Sequence, residues 1–463
     1  MAQFGNQWIN YDQQYWRFPV ANGGLYHLSY EDLLSAGFPA NTVDPDDIQI
    51  FGRGKEQMIR VVDGGDGSFD PGDYIEILCL SNDGWLDVEI YDEPDHQANP
   101  HYSLFNDTAA YFITLNSAFE NLRMEVSEAD NFDDFAVQPW IWKTSVNSST
   151  VAYMIGDQDQ NGISLPWYEE AEGWFDNRFS MGATNHKFVS TPKPYVASGA
   201  PNASVKAVSA SASQATGTFN HHLRVGWGSG FNLEVDTIYH GYQLNTFTFD
   251  VPNALLTEQL QVTHKSVADL AVASDWHAVG RVEVKYPHNC VLTNVTSGKY
   301  QVANTLGQDF AHVVFTGYSG ANPVVYIAHN GYIQKLLTQI NGNELHVLVP
   351  FEIDANLVDI VIYDEATALS PSQIELAGTG GYFEDFVALA QDSAFVIITH
   401  PLLMNAAVNY SLYRENMGMN TLVVDVEQLY DQYAAGICKH PLAIRRFCDR
   451  LLTEWDSDPS HLF

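Results

Sequence analysis

Apolar and polar residues alternate in short runs along most of this chain, with the two-residue period of strands that bury one face. Trp16-Arg17-Phe18-Pro19-Val20 is the first such run, closed by the turn Asn22-Gly23-Gly24. Leu25 to Leu28 follows. Ser29 to Gly37 then reads as a short helix, with Ser29 as the N-cap, acids in the first turn and Gly37 as the stop. Asp47 to Gly52, Ile59 to Val62, Tyr74 to Leu80 and Tyr111 to Leu115 continue the strand pattern. Residues 1–140 are thus expected to form a β-rich domain with one or two small helices.

Residues 141–370 repeat the pattern without a long helix. Strand candidates are Asn220 to Val225, Asn245 to Pro252, Gly280 to Pro287, Val313 to Phe315, Val324 to Ile327 and Leu345 to Pro350. Many short strands with Gly, Asn and Pro between them indicate a β-sandwich of jelly-roll type. Ala207 to Gly217 reads either as a Ser/Ala linker or as a strand with small residues on one face.

The pattern changes in residues 371–463. Ala394 to Thr399 is apolar without alternation, as a parallel strand covered on both faces would be. Pro401 opens a helix with Leu402, Leu403, Ala406 and Ala407 on its apolar side, and Gly418 stops it. Thr421 to Val426 is a second buried strand, completing a βαβ unit. Glu427 to Tyr433 is a short helix. Pro441 starts another, with Leu442, Ile444, Phe447, Leu451 and Leu452 on one side. Two parallel strands do not make a stable covered sheet, so a third is expected, and His461-Leu462-Phe463 looks like its beginning. The predicted class is therefore mostly β and multidomain: a β-rich N-terminal domain, a jelly-roll-like sandwich, and the start of an α/β parallel-sheet domain.

Composition narrows the partners. Of 463 residues, 57 are acidic and 21 basic, a net charge of −36. Such a surface repels phosphate backbones and anionic membranes, so nucleic acid is excluded as a natural partner. What remains is solubility or the binding of divalent cations by carboxylate-rich loops. No apolar run approaches the roughly 18 residues of a membrane-spanning helix. Cys79, Cys290, Cys438 and Cys448 form no CxxC pair, and four cysteines make no disulfide scaffold. The Met1-Ala2-Gln3-Phe4 start lacks a basic and apolar leader, which fits either a cytosolic protein or one whose signal peptide has been removed.

Two loops suit Ca2+. Asp63, Asp66, Asp70 and Asp73 are spaced by glycines that permit tight turns, although Asp and Gly are also ordinary turn residues. Asp157, Asp159 and Asn161 copy the first half of an EF-hand loop, but position twelve falls on Tyr168 instead of a bidentate acid. A structural Ca2+ is the only cofactor either pattern suggests. His221 and His222 alternate across a strand and cannot both ligate one metal without bending; a strand-edge pair is the plainer reading. Cys438 stands two residues from His440, before a helix. Catalytic dyads are assembled from distant segments, so a loop cysteine is expected, with a Cys438–Cys448 disulfide as the other reading. Trp167, Tyr168, Trp174 and Phe175 suit either a core or a sugar-stacking platform.

The segments Phe395 to Thr399, Tyr413 to Gly418, Val423 to Asp431 and Pro441 to Phe447 resemble, in order, the opening of gingipain-type cysteine peptidase domains. Trp16 to Phe18, Gly24 to Leu33, Gln49 to Gly54, Asp66 to Tyr74, Glu172 to Phe175 and Asn220 to His222 are similar to the sortase group of that family, from the Bacteroidetes type IX secretion system. The resemblance covers nearly the whole chain. It implies an extracytoplasmic protein, in the periplasm or at the outer surface, whose partners are protein substrates or secretion components. The family's Gly-His-Gly-like turn and following nucleophilic cysteine have no counterpart here, and His440 stands where an acid is commoner. The resemblance therefore assigns no catalytic residue, and it implies a scaffold and docking portion, inactive alone. The alternative expectation is a stand-alone surface protein binding glycan or protein.

Overall fold

The computed structural model describes residues 4–157, 167–211, 219–293, 295–329, 331–351, 356–389 and 393–463. The chain divides into two compact units. The first combines Met1–Asp83, Phe105–Met124 and Ala368–Phe463; the second combines Gly84–Leu104 and Glu125–Thr367.

In the first unit, a five-stranded antiparallel sheet runs in the order Glu375–Leu376, Trp16–Val20, Ala109–Leu115, Ile48–Gly52, Lys55–Glu56. Trp16, Phe18 and Val20 point inward, as their alternation predicts. Pro19 is tolerated because the strand on its other side pairs only with Trp16 and Arg17, so no ladder bond needs its missing N–H. A second sheet orders Gly24–Ser29, Tyr74–Cys79 and Arg60–Val62, and both sheets close on one core that includes Phe18, Leu28, Ile50, Ile75 and Ile113. Burying each side chain of that size stabilises by roughly 1.5–3 kcal/mol. The helix Tyr30–Ser35 begins as predicted: Ser29 Oγ accepts from the Asp32 N–H, and Leu33 is buried in that core.

The C-terminal segment of this unit is the expected parallel arrangement. Phe395–Thr399 lies between Thr421–Asp425 and His461–Leu462, and both neighbours are parallel to it. The third strand is thus present, with Phe395 opposite His461 and Val396 opposite Leu462. The crossover departs from expectation. Pro401–Leu403 forms a single tight turn before the helix Met404–Glu415, and that helix buries only Ala407 and Ser411. Leu402, at 87% exposure, and Leu403, Val408, Leu412 and Tyr413 face outward. Small residues let the helix approach the strands, and its large apolar ones stay uncovered. Two further helices, Val426–Tyr433 and Leu442–Glu454, bury Leu429, Tyr433, Phe447 and Leu451.

The second unit is built on a long antiparallel sheet whose central order is Leu244–Val251, Ala203–Ser211, Trp276–His288, Ile141–Ser148, Gly298–Ala303, Leu357–Asp364, Pro323–His329 and Tyr332–Leu336. One end shares a core with a four-stranded sheet of Thr184–Ser190, Gln259–Ser266, His221–Trp227 and Asn232–Tyr239, through Val205, Leu223, Val225, Val262 and Val284. The other end shares a core with Phe310–Thr316, Glu344–Pro350 and Thr338–Asn341, through Tyr300, Val313, Val347 and Ile360. The Ser/Ala-rich run is a strand at least to Ser211; residues 212–217 lie outside the described ones. No helix among the described residues is long and apolar enough to cross a membrane.

Candidate functional site

Three side chains of the second unit converge in its four-stranded end. His221 opens a strand and pairs with Tyr239 on one side, while the ladder on the other side begins only at Leu223. Its Nδ1 lies 2.7 Å from Asp275 Oδ1. His277, on the facing long sheet, brings Nε2 to 2.8 Å from the same oxygen. All three residues are buried. Ser266 Oγ donates to Asp275 Oδ2 at 2.9 Å and the His222 N–H donates to it at 3.3 Å, while Tyr239 Oη meets His277 Nδ1 at 3.1 Å.

Burial alone would raise the Asp275 pKa, but hydrogen bonds from His221 and His277 outweigh it and hold the carboxylate ionised. Burial lowers the His277 pKa despite Asp275, and burial next to Asp275 raises that of Tyr239. His264 is a third imidazole of the same core. It is fully buried, neither ring nitrogen has a hydrogen-bond partner, and burial, then nearby His277, lowers its pKa to about 3. Strand alternation turns His222 to the opposite face, where it binds Asp269 at 2.7 Å and Asp236 at 2.6 Å. The sequence offered His221 but not its partners, which lie 54 and 56 positions later.

The acidic loop of the first unit forms a chain of local turns. Asp63 accepts from the Gly65 N–H, Asp66 from that of Ser68, and Asp73 from that of Asp70. The Asp70 pKa is raised, by local desolvation and then by Asp73 and Asp66. Asp157 lies among the described residues, and Asp159 and Asn161 lie outside them. Of the aromatic quartet, Phe175 is core, Trp174 packs edge-on against Tyr153, Tyr168 packs edge-on against Tyr91, and Trp167 is exposed.

The cysteines are free thiols, so Cys438 and Cys448 are not bridged. Burial pushes the Cys79 thiol well up and that of Cys290 to about 12; burial and Asp449 raise Cys448. These are the opposite of thiolate-forming sites. Cys438 is exposed, whereas His440 is buried with its ring 4.8 Å from that of Phe105 and its Nδ1 accepting from the Leu442 N–H. The adjacent pair therefore occupies two different environments.

Residues 388–463 match the model of peptidase family C25. The fold aligns over 98% of the chain with dimeric latent PorU from Porphyromonas gingivalis, with a TM-score of 0.60 and 13% identity. The chain spans 40% of the length of that protein. A second structure, the insecticidal delta-endotoxin Cry8Ea1 from Bacillus thuringiensis, aligns over 40% of this chain and 28% of its own at 10% identity, with a TM-score of 0.17. No curated protein matches the chain in sequence. The gingipain-type resemblance carried by the ordered motifs thus agrees with an independent family match and a whole-chain likeness of fold.

Proposed function

We propose that this chain is the scaffold and docking portion of a gingipain-like cysteine peptidase of the sortase type, acting outside the cytoplasm on protein cargo of type IX secretion. The observation that carries this reading is the C-terminal parallel sheet. Its three strands stand in the order and register of an α/β domain's opening, within the segment that matches family C25. The turn before the sheet's helix leaves Leu402 and Leu403 uncovered, the helix leaves Leu412 uncovered, and Leu462 of the outer strand and the following Phe463 are exposed. Apolar groups on a helix and an edge strand together suit further α/β structure laid against them. In this reading the hydrolytic or transpeptidase histidine and cysteine come from that further structure. The two-core sheet assembly of the second unit, read as a jelly-roll-like sandwich, would present cargo.

The test compares this chain with one extended by whatever its gene encodes beyond Phe463. A peptidyl probe that labels cysteine nucleophiles should mark the extended protein and leave this chain at the level of its Cys438→Ala variant. Strong labelling of this chain, abolished by Cys438→Ala, would refute the scaffold reading. A stand-alone glycan-binding role has one supporting observation, the exposed ring of Trp167, which a glycan array with Trp167→Ala as comparison would weigh.

A further inference from the structure

We propose that His221, Asp275 and His277 form a buried structural site for a transition-metal ion, with zinc as the best fit. His221, Asp275 and His277 each offer one ligand atom within 4.8 Å of the others, and all three are buried. Two imidazoles and a carboxylate are a set that zinc binds tetrahedrally, at about 2.0–2.2 Å per ligand. Ligand atoms around such an ion stand about 3.4 Å apart, by tetrahedral geometry on those bond lengths. Here the two nitrogens lie 2.7 and 2.8 Å from the shared oxygen. Loading the ion therefore asks for an opening of about 0.6–0.7 Å and displaces the proton between His221 Nδ1 and Asp275.

His264, with both ring nitrogens buried and unpartnered, lies in the same core opposite Val225, four residues along the strand from His221, and so stands outside the ligand set.

The surroundings fit the ligand roles. With Nε2 of His277 on the metal, Nδ1 carries the proton and donates to Tyr239 Oη. Ser266 and the His222 backbone hold the second oxygen of Asp275, fixing the first for the ion. Calcium, which takes six to eight oxygens, does not suit this set. Burial on all sides keeps substrate from the ion, so the site is structural, and entry of the ion accompanies folding. His221 belongs to the four-stranded sheet and His277 to the long one, so the ion would rivet the two layers of one core.

The experiment unfolds the chain in chelator and refolds it without metal, with Zn2+, or with Co2+. After gel filtration, about one ion per chain should remain, Co2+ should show the intense visible bands of tetrahedral coordination, and melting should rise relative to the metal-free sample. His277→Gln should lose the ion. His264→Gln, in the same core but outside the ligand set, should keep both the ion and the spectrum. No ion retained by the native chain, or cobalt held only with the pale spectrum of octahedral surface histidines, overturns the site.

Discussion

Arg17 and Asp431, 414 positions apart, meet at 3.1 Å. Arg17 belongs to the first strand of the chain, and Asp431 to the helix that follows the second strand of the parallel sheet. Both are in motifs on which the family resemblance rests. Their pairing gives a physical reason for those motifs to occur together: the N-terminal strand and the C-terminal α/β segment are parts of one folding unit. Asp431 is 4% exposed, and removal of Arg17 leaves a carboxylate there without its cation. Above pH 7, where Asp431 is ionised, Arg17→Ala should destabilise the first unit by about 3 kcal/mol, the lower end for breaking a buried pair. Thermal melting of the full chain checks this; an unchanged first transition would remove the coupling.

The same carboxyl sets a pH dependence. Burial raises its pKa to about 7, with Arg17 opposing and Glu427 and Glu375 adding to the rise. The folded chain therefore keeps a proton that the unfolded chain releases near pH 4. Its contribution to stability is present below pH 4, declines as pH rises, and is lost above about 7. Asp431→Asn should flatten this slope, so the urea midpoint of the wild type relative to that of the variant should fall between pH 5 and pH 8. Parallel midpoints across that range would count against the assignment.

The cap on the helix Tyr30–Ser35 is a smaller and cleaner case. Ser29 Oγ both accepts from the Asp32 N–H at 3.1 Å and donates to the Asp32 carboxylate at 2.7 Å. Ser29→Ala should cost about 1 kcal/mol, and Ser29→Asp much less. A folded Ser29→Ala chain with wild-type melting would show that the sheet beneath holds this helix without help.

The local elements were legible in the sequence for local reasons. The unbroken apolar runs at Phe395 and Thr421 announced covered parallel strands, and His461-Leu462 could be anticipated because two strands leave such a sheet unfinished. Ser29, Gly37 and Gly418 marked helix ends by chemistry that does not depend on the rest of the fold. What stayed hidden depends on distant partners. Nothing around Leu402 says that its helix rests on Ala407 and Ser411. Pro287 looked like the end of a strand, yet the strand continues to His288, because the Ala203–Ser211 neighbour has already ended its pairing at Lys285. His221 looked like half of an alternating pair; its chemistry lies with Asp275 and His277, more than fifty positions on. Cys438 and His440, two positions apart in sequence, are separated by burial.

Gly436 fixes the approach of the C-terminal segment to the strand Ala109–Leu115. Its φ is +73°, and a Cβ there would stand 2.2 Å from Ala110 Cβ and 3.0 Å from the Ala110 nitrogen. That nitrogen donates to the Ala435 carbonyl at 3.3 Å, so the two backbones are already in contact. Gly436→Ala combines a left-handed backbone with this overlap and should destabilise the first unit by about 2 kcal/mol or more. Because the strain and the overlap are separable, Ala110→Gly in the same chain should recover part of the loss. Melting of the single and double variants checks both; no recovery would locate the cost in the backbone conformation alone.

In the second unit, acid should act through His288. This residue is 2% exposed, its ring lies 5.4 Å from that of Tyr300 and 6.0 Å from that of Tyr286, and its Nδ1 has no partner. Burial, and then the charge of Lys143, lowers its pKa to about 4. The unfolded chain takes up a proton near pH 6.5, which the folded chain accepts only near pH 4. Stability from this group is therefore complete above pH 6.5 and is lost as pH falls from 6.5 to 4, by on the order of 3 kcal/mol for the full difference. His288→Gln keeps much of the volume without the titration. It should lower stability at neutral pH yet reduce the fall between pH 6.5 and 4.5. Equal acid sensitivity in both proteins, read from urea midpoints of the second unit, would assign that sensitivity to other groups.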